Sequence, residues 1–366
     1  MSVPPPLRSA TRFLAMGLAV AMLAPVAPAA AQSSGSSDYE PPTTIFGQPD
    51  LQGNWTNSTI TPMQRPEEWQ EFGLVLPASV VDSLESEAVA EFQEGLEPSD
   101  PDRPAPPVGG DGSTGAAGMV GGYNRVYIDP GYTVARVNGE PRSSLITHPE
   151  DGRVPELTQG GQASRMSNFG GRGSFGPYDH PELRPLGERC ILSFGSQPGP
   201  PLLPNGFYNN NATIVQSPDH VMIMSEMVHD VRVVHLGDVD PPPDHIRPWF
   251  GFSRGHWEGN TLVVETTRIH PDNRVQGVSP SDRMKVTERF TRVADDGILY
   301  EFTVDDPVNF TEAWGGQVPM NALEGQIYEY ACHEGNYALQ NVLSGARYQE
   351  RMEAQEAEQE GDSREP

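Results

Sequence analysis

The chain has 366 residues, with 24 Lys and Arg against 50 Asp and Glu, for a formal charge of −26 at pH 7. So acidic a protein is a poor partner for nucleic acid or an anionic membrane. Its charge is spread along the chain, which reads first as a solubilising surface and second as attraction for a cation. The 38 Gly and 37 Pro, together with few helix-period patterns, favour a loop-heavy all-β protein.

In chain order, Arg8 and Arg12 precede an apolar run from Phe13 to about Val26, and Ala29, Ala30 and Ala31 then meet Gln32. This pattern predicts a signal peptide over residues 1–31, and therefore a periplasmic or secreted protein. Its removal leaves 24 − 2 = 22 basic residues against 50 acidic ones, a charge of −28. No later stretch reaches the roughly 18 consecutive apolar residues of a membrane helix, so no membrane insertion is expected.

Residues 32–120 are expected to form an irregular N-terminal segment. It begins with a Ser/Gly/Pro-rich stretch to residue 44 and includes GQPDLQGNWTN, where turn residues surround Leu51 and Trp55. One helix is predicted near 79–93, capped by Ser79, with Val80, Leu84, Val89 and Phe92 near one face. A linker rich in Pro, Gly and Asp follows from about 95 to 120.

A β domain is expected over 121–348, mostly irregular to about 210 apart from short extended pieces such as RSSLITHP. From Ala212 the pieces TIVQS, HVMIMSEMV, VRVVHL, PWFGFSRGHWE, TLVVETTRI, MKVTERFTRV, ILYEFTVDD and QIYEYAC read as strands separated by turn signals. Glu258-Gly259-Asn260 and the Asp-Gly of DDGI mark hairpin bends. Short turns between strands at regular spacing predict an antiparallel, lipocalin-like up-and-down barrel, closed so that no edge is exposed. The tail, 349–366, reads as charged and disordered.

Candidate chemistry lies on the strands. Glu226, Glu265, Glu288 and Glu301 each fall at or near the middle of a strand, and Glu288 shares a face with Met284, Val286 and Phe290. A carboxylate inside a barrel needs partners, which Arg232, Arg254, Arg289 and the tyrosines at 300, 328 and 330 can supply. Otherwise these glutamates face solvent or form structural ion pairs. His229, His256 and His333 lie near carboxylates, as acid/base groups do. No HExxH or CxxC spacing marks a metal centre, so an organic cofactor or metal is not expected, although a divalent ion stays open. Asn209, Asn210 and Asn211 read as turn or cap residues, or as amides binding a substrate. Cys190 and Cys332, two thiols in an oxidising compartment, predict a disulfide worth roughly 5 kcal/mol on the chain-entropy account.

The segment SEMVHDVRVV, residues 225–234, interrupts an apolar strand with Glu226, His229, Asp230 and Arg232. It lacks the Gly or Asn of a two-residue turn, so one long strand is expected, with a bulge that would turn Glu226 and His229 inward together.

The ordered set YNNNATIVQ, EMVHDVR, SRGHWEGNTLVVETT, ERFTRV, LYEFTVDDP, YEYACHEGNY and NVLSGAR, spanning about residues 45–348, resembles a largely uncharacterised family of secreted bacterial proteins common in soil and marine genomes. The resemblance implies secretion and brings no established activity to these positions. From the residues, the expected function is acid/base catalysis, by elimination, isomerisation or hydrolysis, on a small organic or carbohydrate-derived substrate. His229 is the base or acid, oriented by Glu226 or Asp230. Arg232 or Arg254 holds an anion, and Tyr330 or His333 is the second proton donor. Asn209, Asn210, Asn211, Glu265, Glu288 and Glu301 join Arg254 as substrate contacts. The competing reading is a carrier of an apolar ligand with Met222 and Met224 lining its cavity, and a third is a structural envelope protein with a filled barrel.

Overall fold

The computed structural model describes residues 39–96, 128–169, 175–193 and 199–362. The expected signal peptide, most of the 95–120 linker and the glycine-rich 170–174 stretch lie outside these residues.

Nine strands close into a barrel: β1 (Gly53–Thr56), β5 (Asn211–Gln216), β6 (His220–Ser225), β7 (Val231–Leu236), β8 (Phe252–Glu258), β9 (Thr261–Thr267), β10 (Lys285–Ala294), β11 (Gly297–Asp305) and β12 (Trp314–Ala322). The β1–β12 pairing shuts the ring. The expected barrel is therefore present, with one correction: it is mixed rather than purely antiparallel. Strand directions in a closed, fully antiparallel ring must alternate, so nine strands require a parallel junction. It falls between β7 and β8, with Val234 opposite Ser253 and Leu236 opposite Gly255. Residues 237–251, with prolines at 241, 242, 243 and 248, form the crossover that a parallel pair needs.

Outside the ring, β2 (Arg136–Val137) and β3 (Glu140–Pro141) make a small hairpin, and β4 (Ile146–His148) extends the sheet beside the start of β12. Of the eight expected strands, QIYEYAC is not one, since residues 323–337 carry no strand. Its place is taken by WGGQVPMNA, whose glycines hide a strand from a propensity reading. A Cβ on Gly315 would sit 2.1 Å from the Phe302 carbonyl oxygen, and one on Gly316 equally close to that of Leu145. Neighbouring backbones press on this strand from both edges.

The barrel also starts earlier than residue 121, because β1 belongs to it. Trp55 is almost fully buried and its indole donates to the Leu51 carbonyl at 2.9 Å. The expected helix is α1 (Ala78–Leu96), where Ser79 lies inside the first turn rather than capping it. Its Val81 packs with Leu76 and Val134, and Glu85 accepts from the Val134 amide and pairs with Arg136 at 2.7 Å. A second helix, α2 (Gln159–Phe169), was masked in the sequence by Gly160 and Gly161, where side chains would collide with the Val308 and Asn309 carbonyls. Over residues 349–362 the tail is helical rather than disordered: α3 (Ala338–Asp362) follows its run of Ala, Gln, Glu and Arg, all good helix formers.

Strand alternation fills the barrel. Phe290, Tyr300, Phe302 and Trp314 all point inward, with successive ring centroids 4.8, 6.0 and 5.8 Å apart. Burying each such side chain is worth about 2–3 kcal/mol. Leu202 and Leu203, from the 199–204 segment GPPLLP, join this core.

Candidate functional site

SEMVHDVRVV is a hairpin rather than the expected single bulged strand. β6 ends at Ser225, β7 starts at Val231, and the Ser225 amide donates to the Asp230 carbonyl at 2.8 Å to close the turn. A turn of this length does not need the Gly or Asn of a two-residue bend. It instead forces Val228 (φ 59°) and His229 (φ 46°) into left-handed backbone. For a β-branched residue that conformation costs on the order of 1–3 kcal/mol, and such strain persists only where the surroundings impose it. Met227 and Val228 are buried, which supplies the imposition.

The polar groups of this turn have separate partners. Glu226 is buried; its amide donates to the Asn211 carbonyl at 2.9 Å, and its carboxylate accepts from Asn211 Nδ2 at 2.7 Å and from the Tyr328 amide at 3.3 Å. It clamps the 323–330 segment onto the hairpin. The exposed His229 ring has Nδ1 3.2 Å from the Tyr330 carbonyl. Asp230 differs from both. Its Oδ2 is buried without a hydrogen-bond partner, and desolvation pushes the carboxyl up to about 7. Val231 faces outward, so Asp230 falls on the same side of the chain as Arg232.

Arg232 points into the barrel and is spent on structure. Its Nη2 donates to Glu288 Oε1 at 2.8 Å and its Nη1 to Glu288 Oε2, with both side chains almost wholly buried. The Tyr300 hydroxyl donates to Glu288 Oε1 at 2.9 Å and accepts from the Leu202 amide at 2.8 Å, tying the 199–204 segment to the ion pair. Nη1 also reaches Thr266 Oγ1 at 3.5 Å, and that hydroxyl is 2.7 Å from Ser253 Oγ. Burial, reinforced by the Glu288 charge, raises the Tyr300 phenol well above its ordinary value. Burial also opposes the Arg232 charge, but Glu288 outweighs it and holds the guanidinium above its usual value. Ser253 and Thr266 were missed from sequence. The signal was there, because Thr266 shares the inward face of β9 with Leu262 and Val264.

The remaining expected site residues disperse. Among the four glutamates only Glu288 enters the barrel. Glu265 and Glu301 lie on its outer face, paired with Lys285 at 3.0 Å and Gln317 at 2.9 Å. Arg254 is exposed on β8 opposite Glu265. Asn210 is a buried brace, donating to the Asp129 carbonyl at 2.8 Å and accepting from the Asn205 amide at 2.7 Å, while Asn209 occupies left-handed backbone (φ 54°). Tyr330 meets His229 through its carbonyl, and His333 is exposed beside Cys332. Met222 and Met224 sit on the outer face of β6, opposite the buried Val221 and Ile223, and so do not line an interior cavity.

The expected Cys190–Cys332 disulfide is present, with the Cα atoms 5.8 Å apart. It fits an oxidising compartment, and no helix among the described residues is long and apolar enough to cross a membrane. Among the described residues no three His, Cys, Asp or Glu side chains group to hold a metal. Compared with known proteins, the chain matches no family model and no curated sequence.

Proposed function

We propose that this protein is a secreted β-barrel enzyme that transfers a proton on a small organic or carbohydrate-derived substrate, with Asp230 as the acid/base group. One observation carries the reading: on a strained turn, Asp230 holds a carboxyl oxygen buried without a hydrogen-bond partner, and burial pushes that carboxyl up to about 7. A group poised at the working pH is both an effective base and an effective acid. Ionised Asp230 removes a proton from carbon next to a carbonyl and leaves an enolate. Where that carbon bears a hydroxyl the enolate is an enediolate, and returning the proton to the former carbonyl carbon, as the hydroxyl proton passes to the former carbonyl oxygen, completes an isomerisation; where a leaving group stands β to the carbonyl, its departure with the electron pair completes an elimination.

Carriage of an apolar ligand is less well supported, because Leu202 and the aromatic series already occupy the barrel interior. The test is deuterium incorporation from D2O at the α-carbon of a panel of small hydroxyketones, sugar acids and lactones, followed by proton NMR. At least one compound should exchange, and Asp230→Asn should slow it by about 100-fold or more. Exchange at the wild-type rate in Asp230→Asn, or no exchange across the panel, contradicts the proposal.

A further inference from the structure

On the outer face of the barrel, β6 and β7 bring two histidines together. His220 and His235 are direct cross-strand partners. The Leu236 amide donates to the Asp219 carbonyl at 2.8 Å, so the adjacent 219/236 position is hydrogen-bonded and 220/235 is not. Non-hydrogen-bonded positions bring side chains closest across an antiparallel pair. The two imidazole centroids are 5.0 Å apart, with the ring planes at 67°. Two imidazoles ligating one tetrahedral ion through nitrogens at about 2.0–2.1 Å place their centroids about 5 Å apart.

Both rings are held from outside the pair. His220 Nδ1 is 2.9 Å from Asp219 Oδ1, which leaves its Nε2 lone pair free. Asp219 is itself fixed by Ser217 Oγ at 3.0 Å, in a turn where Ser217 Oγ also accepts from the His220 amide. A carboxylate behind a histidine sets its tautomer and strengthens it as a ligand. On the other side the Phe252 ring stacks on His235 at 5.3 Å and 26°.

We infer that His220 and His235 form a surface chelate for a borderline divalent transition ion such as Zn2+, Ni2+ or Cu2+, with Asp219 as the positioning carboxylate and the remaining coordination positions open to water or an external ligand. Imidazole pairs favour these ions over Mg2+ or Ca2+. The site stands independently of the proton-transfer reading. Arg254, level with His235 on β8, is the cation that opposes metal there.

The test is calorimetric titration of the mature chain with Zn2+ and with Ni2+ at pH 7.5, in excess Mg2+ to occupy surface carboxylates. One site is expected, with the His220 and His235 ring protons shifting in NMR as it fills. His220→Ala and His235→Ala should each weaken binding tenfold or more, and Asp219→Asn should weaken it by about tenfold. His180→Ala and His256→Ala should leave it unchanged. All variants change exposed or half-buried groups, so equal melting temperatures separate lost ligation from lost fold. Wild-type affinity in His220→Ala and His235→Ala, or no saturable site in the wild type, overturns the inference.

Discussion

Replacing Glu288 by glutamine keeps the shape of the side chain and removes its charge, leaving the Arg232 guanidinium unneutralised in the barrel. Both side chains are within one per cent of complete burial, and Arg232 Nε already lacks a hydrogen-bond partner. The cation then relies on Thr266 at 3.5 Å and on whatever the new amide oxygen accepts. Breaking a buried pair from one side costs about 3–5 kcal/mol. At about 2 °C per kcal/mol for a protein of this size, melting should fall by roughly 6–10 °C. Arg232→Met with Glu288→Leu removes both charges and should come back to within about 2 kcal/mol of the parent, since a matched apolar pair replaces a buried ion pair at little cost. Urea denaturation of the parent, Arg232→Met, Glu288→Leu and the double variant closes the cycle. A loss below about 1 kcal/mol in Glu288→Gln, or a double variant as unstable as the single, would refute the claim that this pair is a desolvated structural unit.

Gly315→Ala should cost about 3 kcal/mol or more, because its Cβ would meet the Phe302 carbonyl at 2.1 Å, whereas Gly345→Ala in α3 meets nothing within 4 Å and should gain up to about 1 kcal/mol; thermal melts compare them. Asp230 binds its proton more tightly folded than unfolded, so it favours the native state at acid pH and progressively loses that contribution as pH rises from about 4 to about 7. Asp230→Asn should accordingly be more stable than the parent above pH 7, by on the order of 1–2 kcal/mol after solvent screening, and the gap should narrow toward pH 4 in denaturation curves. Reducing the Cys190–Cys332 bridge, which spans 142 residues of sequence, should lower the unfolding free energy by about 5 kcal/mol, read as a shift of the urea midpoint with and without dithiothreitol.

The barrel was legible wherever alternation and turn chemistry agreed. β8, Gly259-Asn260 and β9 form the hairpin that GHWEGNTLVVET spells out, and Glu288 lies on the face its apolar neighbours define. Legibility failed where tertiary contacts set the local rule. Gly315 and Gly316 look like strand breakers until two carbonyls are seen against them, and Gly160 and Gly161 hide α2 for the same reason. The parallel β7–β8 junction follows from strand parity once β1 is counted, but β1 is four residues long and separated from β5 by more than 150 positions. At the site, His229, Arg232, Tyr330 and His333 looked like one constellation because they are the chemically capable residues of two motifs. Strand direction separates them, sending Arg232 inward to Glu288 and His229 outward to the Tyr330 carbonyl. Asp230 is the carboxylic acid of that turn with an unmet requirement, and burial of its Oδ2 reveals it.

The central claim therefore rests on one titration. With 13C-labelled aspartate in the protein and Asp230→Asn to assign the signal, the Asp230 carboxyl carbon should titrate with a midpoint near 7, about three pH units above an ordinary aspartate. A midpoint near 4 would mean that the carboxyl is ionised and solvated like any surface acid, and the proton-transfer account would fall.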